Sequence, residues 1–193
     1  MLDAAVVVFA RRGFHAATVD EVADAAGISK PMVYAYLGTK EELFTACLHR
    51  EGARLAEAIA SAAISGGAAL PPEERLWRGL RAFFGFVADH REGWLVLYRQ
   101  ARGERPFADV IDEMRTRMAE VVTGMLADAV CADNRRVHAD ELWTMGYALV
   151  GAAEAVADRL AENPAEDAEA VATHLMNVIW VGAAGRLAGA TWR

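Results

Sequence analysis

Residues 30 to 36 carry the side chains with the clearest chemical capability in this chain. Lys30 can donate hydrogen bonds to guanine acceptors or to phosphate oxygens, and Met32 and Ala35 can make apolar contact with thymine methyl groups. No Asp or Glu occurs from residue 26 to residue 38, so the local sequence leaves this surface open to a phosphate backbone. These residue types predict contact with duplex DNA rather than catalysis.

A short helix must precede this segment and support it. Thr18, followed three positions later by Glu21, is a capping-box signal, because each side chain can satisfy a backbone donor at a helix start. A helix is therefore predicted to begin near Val19, with its apolar residues at three- and four-residue spacing. Gly27 is expected to end it, since glycine tolerates the left-handed conformation common at helix termini.

A second helix follows the turn and is predicted to read DNA. Ser29 is expected to cap it, and Pro31 lies in its first turn, where a missing N–H costs nothing because that donor is unpaired anyway. Val33 and Leu37 share one face and can anchor the helix, which leaves the opposite face outward. Two short helices joined by a tight turn are typical of a helix-turn-helix DNA-binding motif, here called the reader, with residues 30 to 36 as its recognition helix.

A third helix start is predicted directly after the reader. Thr39 is expected to cap a helix that begins at Lys40. The free backbone donors at a helix N-terminus form a good phosphate site, and the Lys40 ammonium group strengthens it.

The stretch from Ala4 to Phe44 resembles the N-terminal domain of the TetR family of transcriptional regulators. The residues that carry the resemblance are Ala4-Ala5 with Phe9-Ala10, Gly13-Phe14, Thr18-Val19-Asp20-Glu21-Val22-Ala23, Ala26-Gly27-Ile28-Ser29-Lys30, Tyr34-Ala35-Tyr36 and Lys40-Glu41-Glu42-Leu43-Phe44. The resemblance implies that four residues face base edges, namely Lys30, Pro31, Met32 and Ala35. It implies that five others hold phosphates, namely Thr18, Ser29, Tyr34, Tyr36 and Lys40.

Length and composition favour an all-helical protein. The 193 residues are 54% hydrophobic, with few prolines and no run of eighteen apolar residues, so no membrane span is expected. Two cysteines do not make a disulfide framework, and a reduced cytoplasmic setting is expected. The formal net charge is −7, but residues 1 to 50 have five Lys or Arg against six Asp or Glu and contribute only −1. Negative charge is thus concentrated away from the predicted reader.

Aromatic and methionine side chains are concentrated after residue 77, which fits a cavity for a small effector. Ligand pockets are mostly apolar with a few polar groups, and methionine can repack around different shapes. TetR relatives bind small effectors in this region, so the resemblance implies a small effector, and the aromatic and methionine side chains favour an apolar or aromatic one; an ordinary core is the alternative. The candidate pocket residues are Phe84, Trp94, Tyr98, Met114, Met118, Trp143 and Tyr147, with Arg99, Arg102 and Glu154 as polar contacts.

The last two predicted helices carry apolar residues on two faces, in a stripe that extends to Gly189. One face can pack within the subunit and the other against a second copy, with glycines allowing close approach at a two-fold interface. A fully buried helix in a monomer is the alternative. The predicted interface residues are Leu149, Val156, Leu160, Leu175, Val178, Gly182 and Gly185.

These patterns together predict an all-α protein of about nine helices. A helix-turn-helix DNA-binding domain at residues 1–46 would precede a helical effector-binding and dimerisation domain at residues 47–193, within which a break is expected at Gly66-Gly67. The expected function is a homodimeric repressor that binds a pseudo-palindromic operator and is released by a small molecule. A helix-turn-helix protein controlled by protein partners is the alternative. The chain has no HExxH, P-loop, GxSxG or CxxC motif, so no enzyme activity, metal or cofactor is expected.

Overall fold

A computed structural model describes residues 1–65, 70–132 and 137–187. These residues form helices and no strand, which confirms the all-α prediction. The predicted break at Gly66-Gly67 and the predicted stripe position Gly189 lie outside the described residues. The α-helices are α1 Leu2–Ala16, α2 Val19–Ala26, α3 Lys30–Leu37, α4 Lys40–Ile64, α5 Pro72–Asp89, α6 Arg91–Gly93, α7 Phe107–Ala132, α8 Ala139–Glu162 and α9 Ala168–Leu187.

The segment between α6 and α7 is helical but not α-helical. A π-helix runs over Trp94–Gln100 and a 3₁₀ turn over Ala101–Gly103. π-helical turns are uncommon, and they are found frequently at functional sites. This one places Trp94 above Tyr98, with ring centroids 4.5 Å apart and nearly parallel ring planes.

The chain forms two compact units. Unit 1 contains Met1–Arg54 and His90–Met114, and unit 2 contains the rest of the described chain. The three helices of the predicted reader thus belong to the same unit as the π-helix. Both α4 and α7 contribute residues to each unit.

Four phenylalanine rings form the centre of unit 1. Phe44 packs against Phe9, Phe14 and Phe107 with ring centroids 4.9, 5.1 and 4.6 Å away, mostly edge to face. Phe14 follows Gly13, whose positive φ of 73° breaks the helical path of α1. The rings therefore tie the end of α1 to the starts of α4 and α7.

Unit 2 is a helical bundle in which α5 packs against α8 and α9, and α8 packs against α9. The inner face of α5 buries Leu76, Leu80, Phe83, Phe84 and Val87. Ion pairs link neighbouring helices at the bundle surface, including Arg75–Asp128 at 3.1 Å between α5 and α7. No helix in the described ranges combines the length and the apolar character needed to cross a membrane.

Candidate nucleic-acid interface

A complete capping box starts α2, as the sequence predicted. The Thr18 hydroxyl accepts a hydrogen bond from the Glu21 backbone N–H at 3.2 Å, and the Glu21 carboxylate accepts one from the Thr18 N–H at 3.0 Å. These Thr18 bonds hold the pKa of Glu21 below its ordinary value. Gly27 ends the helix in the left-handed conformation, with φ 66°. The Thr18 hydroxyl therefore caps the start of α2.

The recognition helix α3 is anchored on one side and exposed on the other. Val33 is 1% exposed and packs in the core of unit 1. Met32, Tyr34 and Tyr36 are 43%, 48% and 70% exposed, so three large side chains face solvent from one short helix. Monomeric proteins rarely expose several large side chains next to one another, and such a cluster of exposed side chains marks a binding surface. Ala35 is also exposed.

Ser29 and Pro31 start α3 in a way that the sequence predicted only in part. Ser29 is the N-cap residue, and its carbonyl accepts bonds from the N–H groups of Met32 and Val33 at 2.9 and 3.3 Å. Its side chain makes no capping bond, so the predicted side-chain cap is wrong. Pro31 lies in the first turn, as predicted. The Ser29 hydroxyl is not used by the helix start, which leaves it for another acceptor.

Lys30 has a carboxylate partner that the local sequence did not reveal. Its Nζ donates a hydrogen bond to Asp20 Oδ2 at 2.8 Å, across the turn between α2 and α3. The expectation that no carboxylate lies near this surface is therefore wrong, because Asp20 is ten residues earlier and on the preceding helix. Asp20 raises the pKa of Lys30 through this bond and its charge. Lys30 thus stays protonated and about half-exposed.

Lys40 is held by backbone carbonyls rather than presented to solvent. Its Nζ donates to the carbonyl oxygens of Phe14, His15 and Ala17 at 3.0, 3.3 and 3.2 Å. The same ammonium group lies 4.6 Å from the centroid of the Phe14 ring. Ammonium groups have three hydrogen-bond donors, and these three carbonyls use them all. The structure therefore gives the Lys40 side chain a role at the C-terminal end of α1, apart from the phosphate role that the resemblance implies.

Thr39 caps α4, as predicted, through a second capping box. The Thr39 N–H donates to Glu42 Oε2 at 2.7 Å, and the Glu42 N–H donates to Thr39 Oγ1 at 3.2 Å. Two backbone donors at this helix start are therefore already occupied. The Glu42 carboxylate also lies at this helix start, so it opposes an approaching phosphate there.

Four of the candidate effector residues meet within unit 1. Trp94 and Tyr98 are 3% and 8% exposed, and the Arg102 guanidinium lies 6.0 Å from the Trp94 ring. Met114 and the Tyr98 hydroxyl both lie beside Gly52, at 2.8 and 3.4 Å from where a Cβ on that glycine would be. The fifth candidate in this unit, Arg99, is exposed.

The other five candidate effector residues belong to unit 2. Phe84 is fully buried, Met118 is half-buried, and Trp143 and Tyr147 are 38% and 41% exposed. Glu154 forms an ion pair with Arg115, which the sequence analysis did not single out. This bond raises the pKa of Arg115.

The Arg115 guanidinium also lies 6.0 Å from the Tyr147 ring. Arg115 and Glu154 lie on different helices, α7 and α8, so only the packing of those helices could pair them. Glu154 thus has a cation partner within its own subunit.

A surface groove in unit 2 was not predicted. It encloses about 300 Å³. Its lining residues come from the end of α4 and from α5, and they are Ala62, Ser65, Glu74, Trp77, Arg78, Arg81 and Ala82. Arg78 is already bonded to Glu74 at 2.7 Å, and Arg81 lies 3.8 Å from Glu169. Because these two arginines are paired with glutamates within the unit, the charges along the groove do not indicate which class of ligand would bind there.

The predicted interface residues separate into buried, half-buried and exposed residues. Leu149, Leu160 and Leu175 are 6%, 0% and 8% exposed in the single chain, so they pack within the subunit and their assignment to an interface is wrong. Val156 is half-buried. Val178 is 74% exposed, with Gly182 one helical turn further along α9 and also exposed. Gly185 is half-buried, and among the described residues no atom outside the local helix backbone and the adjacent residues lies within 4 Å of a Cβ built on either glycine.

Comparison with known proteins agrees with the reader geometry. The family model for bacterial regulatory proteins of the tetR family matches residues 1–47. A second model, for the tetracyclin repressor-like C-terminal domain, matches residues 72–182. The second match alone covers more than half of the chain, and the first contains the whole of α1 to α3.

Individual relatives point the same way. A TetR-like transcriptional regulator from Rhodococcus sp. RHA1 is 44% identical over 95% of this chain and 93% of that one, with a TM-score of 0.77. The HTH-type transcriptional activator FasR of Mycolicibacterium smegmatis is 36% identical over 98 residues, which are 51% of this chain and 43% of the activator. The chain thus spans less than half the length of that relative.

A more distant structure shares the fold alone. The transcriptional regulator FadR from Bacillus subtilis, solved in complex with stearoyl-CoA, has a TM-score of 0.77 at 18% identity. The alignment covers 92% of this chain and 95% of that one. With both family models matched and an exposed, capped recognition helix in place, the chain belongs to the TetR family of bacterial transcriptional regulators.

Proposed function

We propose that this chain is a homodimeric repressor that binds a pseudo-palindromic operator through α3 and releases it when a small-molecule effector binds. The observation that carries the DNA-binding part is the one-sided exposure of α3, with Val33 buried and Tyr34 and Tyr36 facing solvent. One such helix reaches too few base pairs for useful specificity, so two copies must act together. Such a regulator works where the chromosome lies, in the bacterial cytoplasm.

Selection of bound fragments from a random duplex pool tests the operator proposal. The recovered sequences should contain two inverted half-sites whose centres are about 10 base pairs, or a multiple of that, apart. Recovery of a single unrepeated half-site would contradict the two-fold arrangement. If the wild-type protein retained no sequence at all, DNA recognition by α3 would be wrong.

The proposed dimer interface uses the exposed face of α9. Val178 is a large apolar side chain with 74% exposure, and the open space at Gly182 and Gly185 permits close approach of another backbone. Because a two-fold interface uses the same patch of both subunits, a charge at position 178 would be buried twice in each dimer.

We therefore expect Val178→Glu to weaken the dimer by at least about tenfold, as measured by sedimentation equilibrium, since an unpaired buried charge is costly. Val7→Glu, at an exposed valine of α1 in unit 1, is the matched control and should leave the association unchanged. A Val178→Glu protein that dimerises like the wild type would exclude this face.

The proposed effector is a small molecule with a large apolar portion. The candidate residues in unit 1 combine stacked aromatic rings with the Arg102 guanidinium, which suits an apolar ligand that carries an anionic group. Stearoyl-CoA is the ligand solved with the Bacillus subtilis FadR protein, so it is the first compound to test, with CoA alone as the control for the acyl chain.

Stearoyl-CoA should raise the Tm and lower the affinity for the selected operator, whereas CoA alone should do neither. At about 100 times its Kd, a ligand stabilises the protein by about 2.7 kcal/mol. The shift in operator binding can be no larger than the difference in ligand affinity between the two conformations. If ligands that raise the Tm leave operator affinity unchanged, the coupling is wrong and control by protein partners is favoured.

A further inference from the structure

The first turn of α2 presents a carboxylate to the recognition helix. Asp20 accepts a 2.8 Å hydrogen bond from Lys30 Nζ, and both side chains are largely exposed, at 60% and 47%. The neighbouring carboxylate, Glu21, is occupied separately by its capping box and by Arg12 at 3.1 Å. Asp20 is thus the acidic residue of this turn that is directed to the DNA-reading helix.

The bond constrains what Lys30 can do. A free lysine samples many rotamers and reaches any nearby phosphate as a mobile point charge. An ammonium group has three donors, so the bond to Asp20 leaves two of them for acceptors on a base edge. Bonding to Asp20 also neutralises most of the attraction that Lys30 offers to the phosphate backbone at a distance.

We propose that Asp20 is a specificity-determining residue of the DNA reader, which holds Lys30 for a base-edge contact and suppresses its contact with phosphates. This inference rests on the proposed DNA-binding function. It assigns Asp20 a positioning role, because Asp20 acts on DNA through Lys30. A purely structural role, in which the pair only clamps α2 to α3, predicts a change in stability without a change in discrimination between DNA sequences.

The test compares Asp20→Asn with Asp24→Asn in the full-length protein. Both changes remove one negative charge from α2, but the exposed Asp24 makes no ion pair within the part of the chain that the structure describes. Each variant is titrated with a labelled random-sequence duplex and with the duplex selected by the wild-type protein, over a range of salt concentrations. The Tm of each variant is measured alongside.

Asp20→Asn should raise affinity for the random duplex roughly two- to fivefold per subunit, the range that an exposed ion pair supports. The slope of log affinity against log salt should steepen by about one per subunit, since a freed lysine neutralises one more phosphate. The ratio of selected to random affinity should therefore fall at least about threefold. Asp24→Asn should change that ratio far less.

A second background shows whether the effect passes through Lys30. In a Lys30→Gln protein, Asp20→Asn should leave the random-duplex affinity and the salt slope unchanged relative to Lys30→Gln alone. An equal response to Asp20→Asn and Asp24→Asn, an unchanged ratio, or an undiminished response in the Lys30→Gln background would each overturn the inference. Failure of the wild-type protein to bind either duplex would instead overturn the proposed function.

Discussion

Replacing Lys40 with methionine is expected to destabilise the protein by about 2–4 kcal/mol and to lower its Tm by roughly 5–15 °C. Methionine keeps most of the apolar stem but donates no hydrogen bond. The carbonyls of Phe14, His15 and Ala17 would lose the charged donor that they share. Hydrogen bonds to charged groups are among the stronger ones in proteins, and partly buried acceptors without a partner add a desolvation cost.

Lys40→Arg is the matched control, because it keeps the charge and offers several donors. It should retain more stability than Lys40→Met, although the planar guanidinium cannot reproduce the three-way geometry of the ammonium group. Thermal unfolding followed by circular dichroism checks both variants.

The alternative role for Lys40 is the phosphate contact that the family resemblance implies. That role predicts an unchanged Tm for Lys40→Met, together with a salt slope that falls by about one per subunit. The structure supports the opposite outcome, since all three donors of Lys40 are used within unit 1. A normal Tm in Lys40→Met would contradict the stabilising role.

Local signals in the sequence were sufficient to predict where the reader helices begin and end. The capping box of Thr18 with Glu21 and the cap at Thr39 were predicted, and in the structure each threonine bonds to a glutamate three positions later. Gly27 supplies the left-handed turn that its position indicated. Capping and turn chemistry depend on near neighbours in the chain, so a pattern of residue types is enough to identify them.

Local sequence patterns could not predict the interactions between helices. The partner of Lys30 is ten residues away, and the acceptors of Lys40 are 23 to 26 residues away. Each contact leads from one helix to another part of the chain, so only the packing of α2 against α3, and of α4 against the end of α1, creates these contacts. Even a local feature was predicted only in part at Ser29, because its position as the N-cap residue was predictable but the rotamer of its hydroxyl was not.

For the two apolar faces of α8 and α9, the spacing of apolar residues could not predict which face packs inside the subunit. A helix that is apolar on two sides must bury both, but the pattern does not say which side meets its own subunit. Leu149 and Leu160 face inward, whereas Val178 remains 74% exposed. The distinction depends on where α5 packs, and that is a tertiary property. The structure thus concentrates the interface proposal on the Val178 side of α9.

Removing the two hydroxyls from α3 is expected to cause the largest loss of DNA binding. In the double variant Tyr34→Phe with Tyr36→Phe, a dimer would lose four proposed phosphate bonds at about 0.5–1.5 kcal/mol each. The sum is about 2–6 kcal/mol, so operator affinity should fall at least about thirtyfold. The Tm should be unchanged, because Tyr34 and Tyr36 are 48% and 70% exposed and Val33 still anchors the helix.

The salt dependence separates this role from one based on charge. A neutral hydroxyl releases no counterions when it bonds a phosphate, so affinity should fall while the slope of log affinity against log salt stays as in the wild type. Tyr147→Phe, which removes the hydroxyl of a tyrosine that is 41% exposed on α8, is the control in effector-free protein. Operator affinity in the double variant equal to that of Tyr147→Phe would exclude the tyrosine hydroxyls as phosphate donors, and α3 would have to bind DNA through Lys30 and its apolar side chains instead.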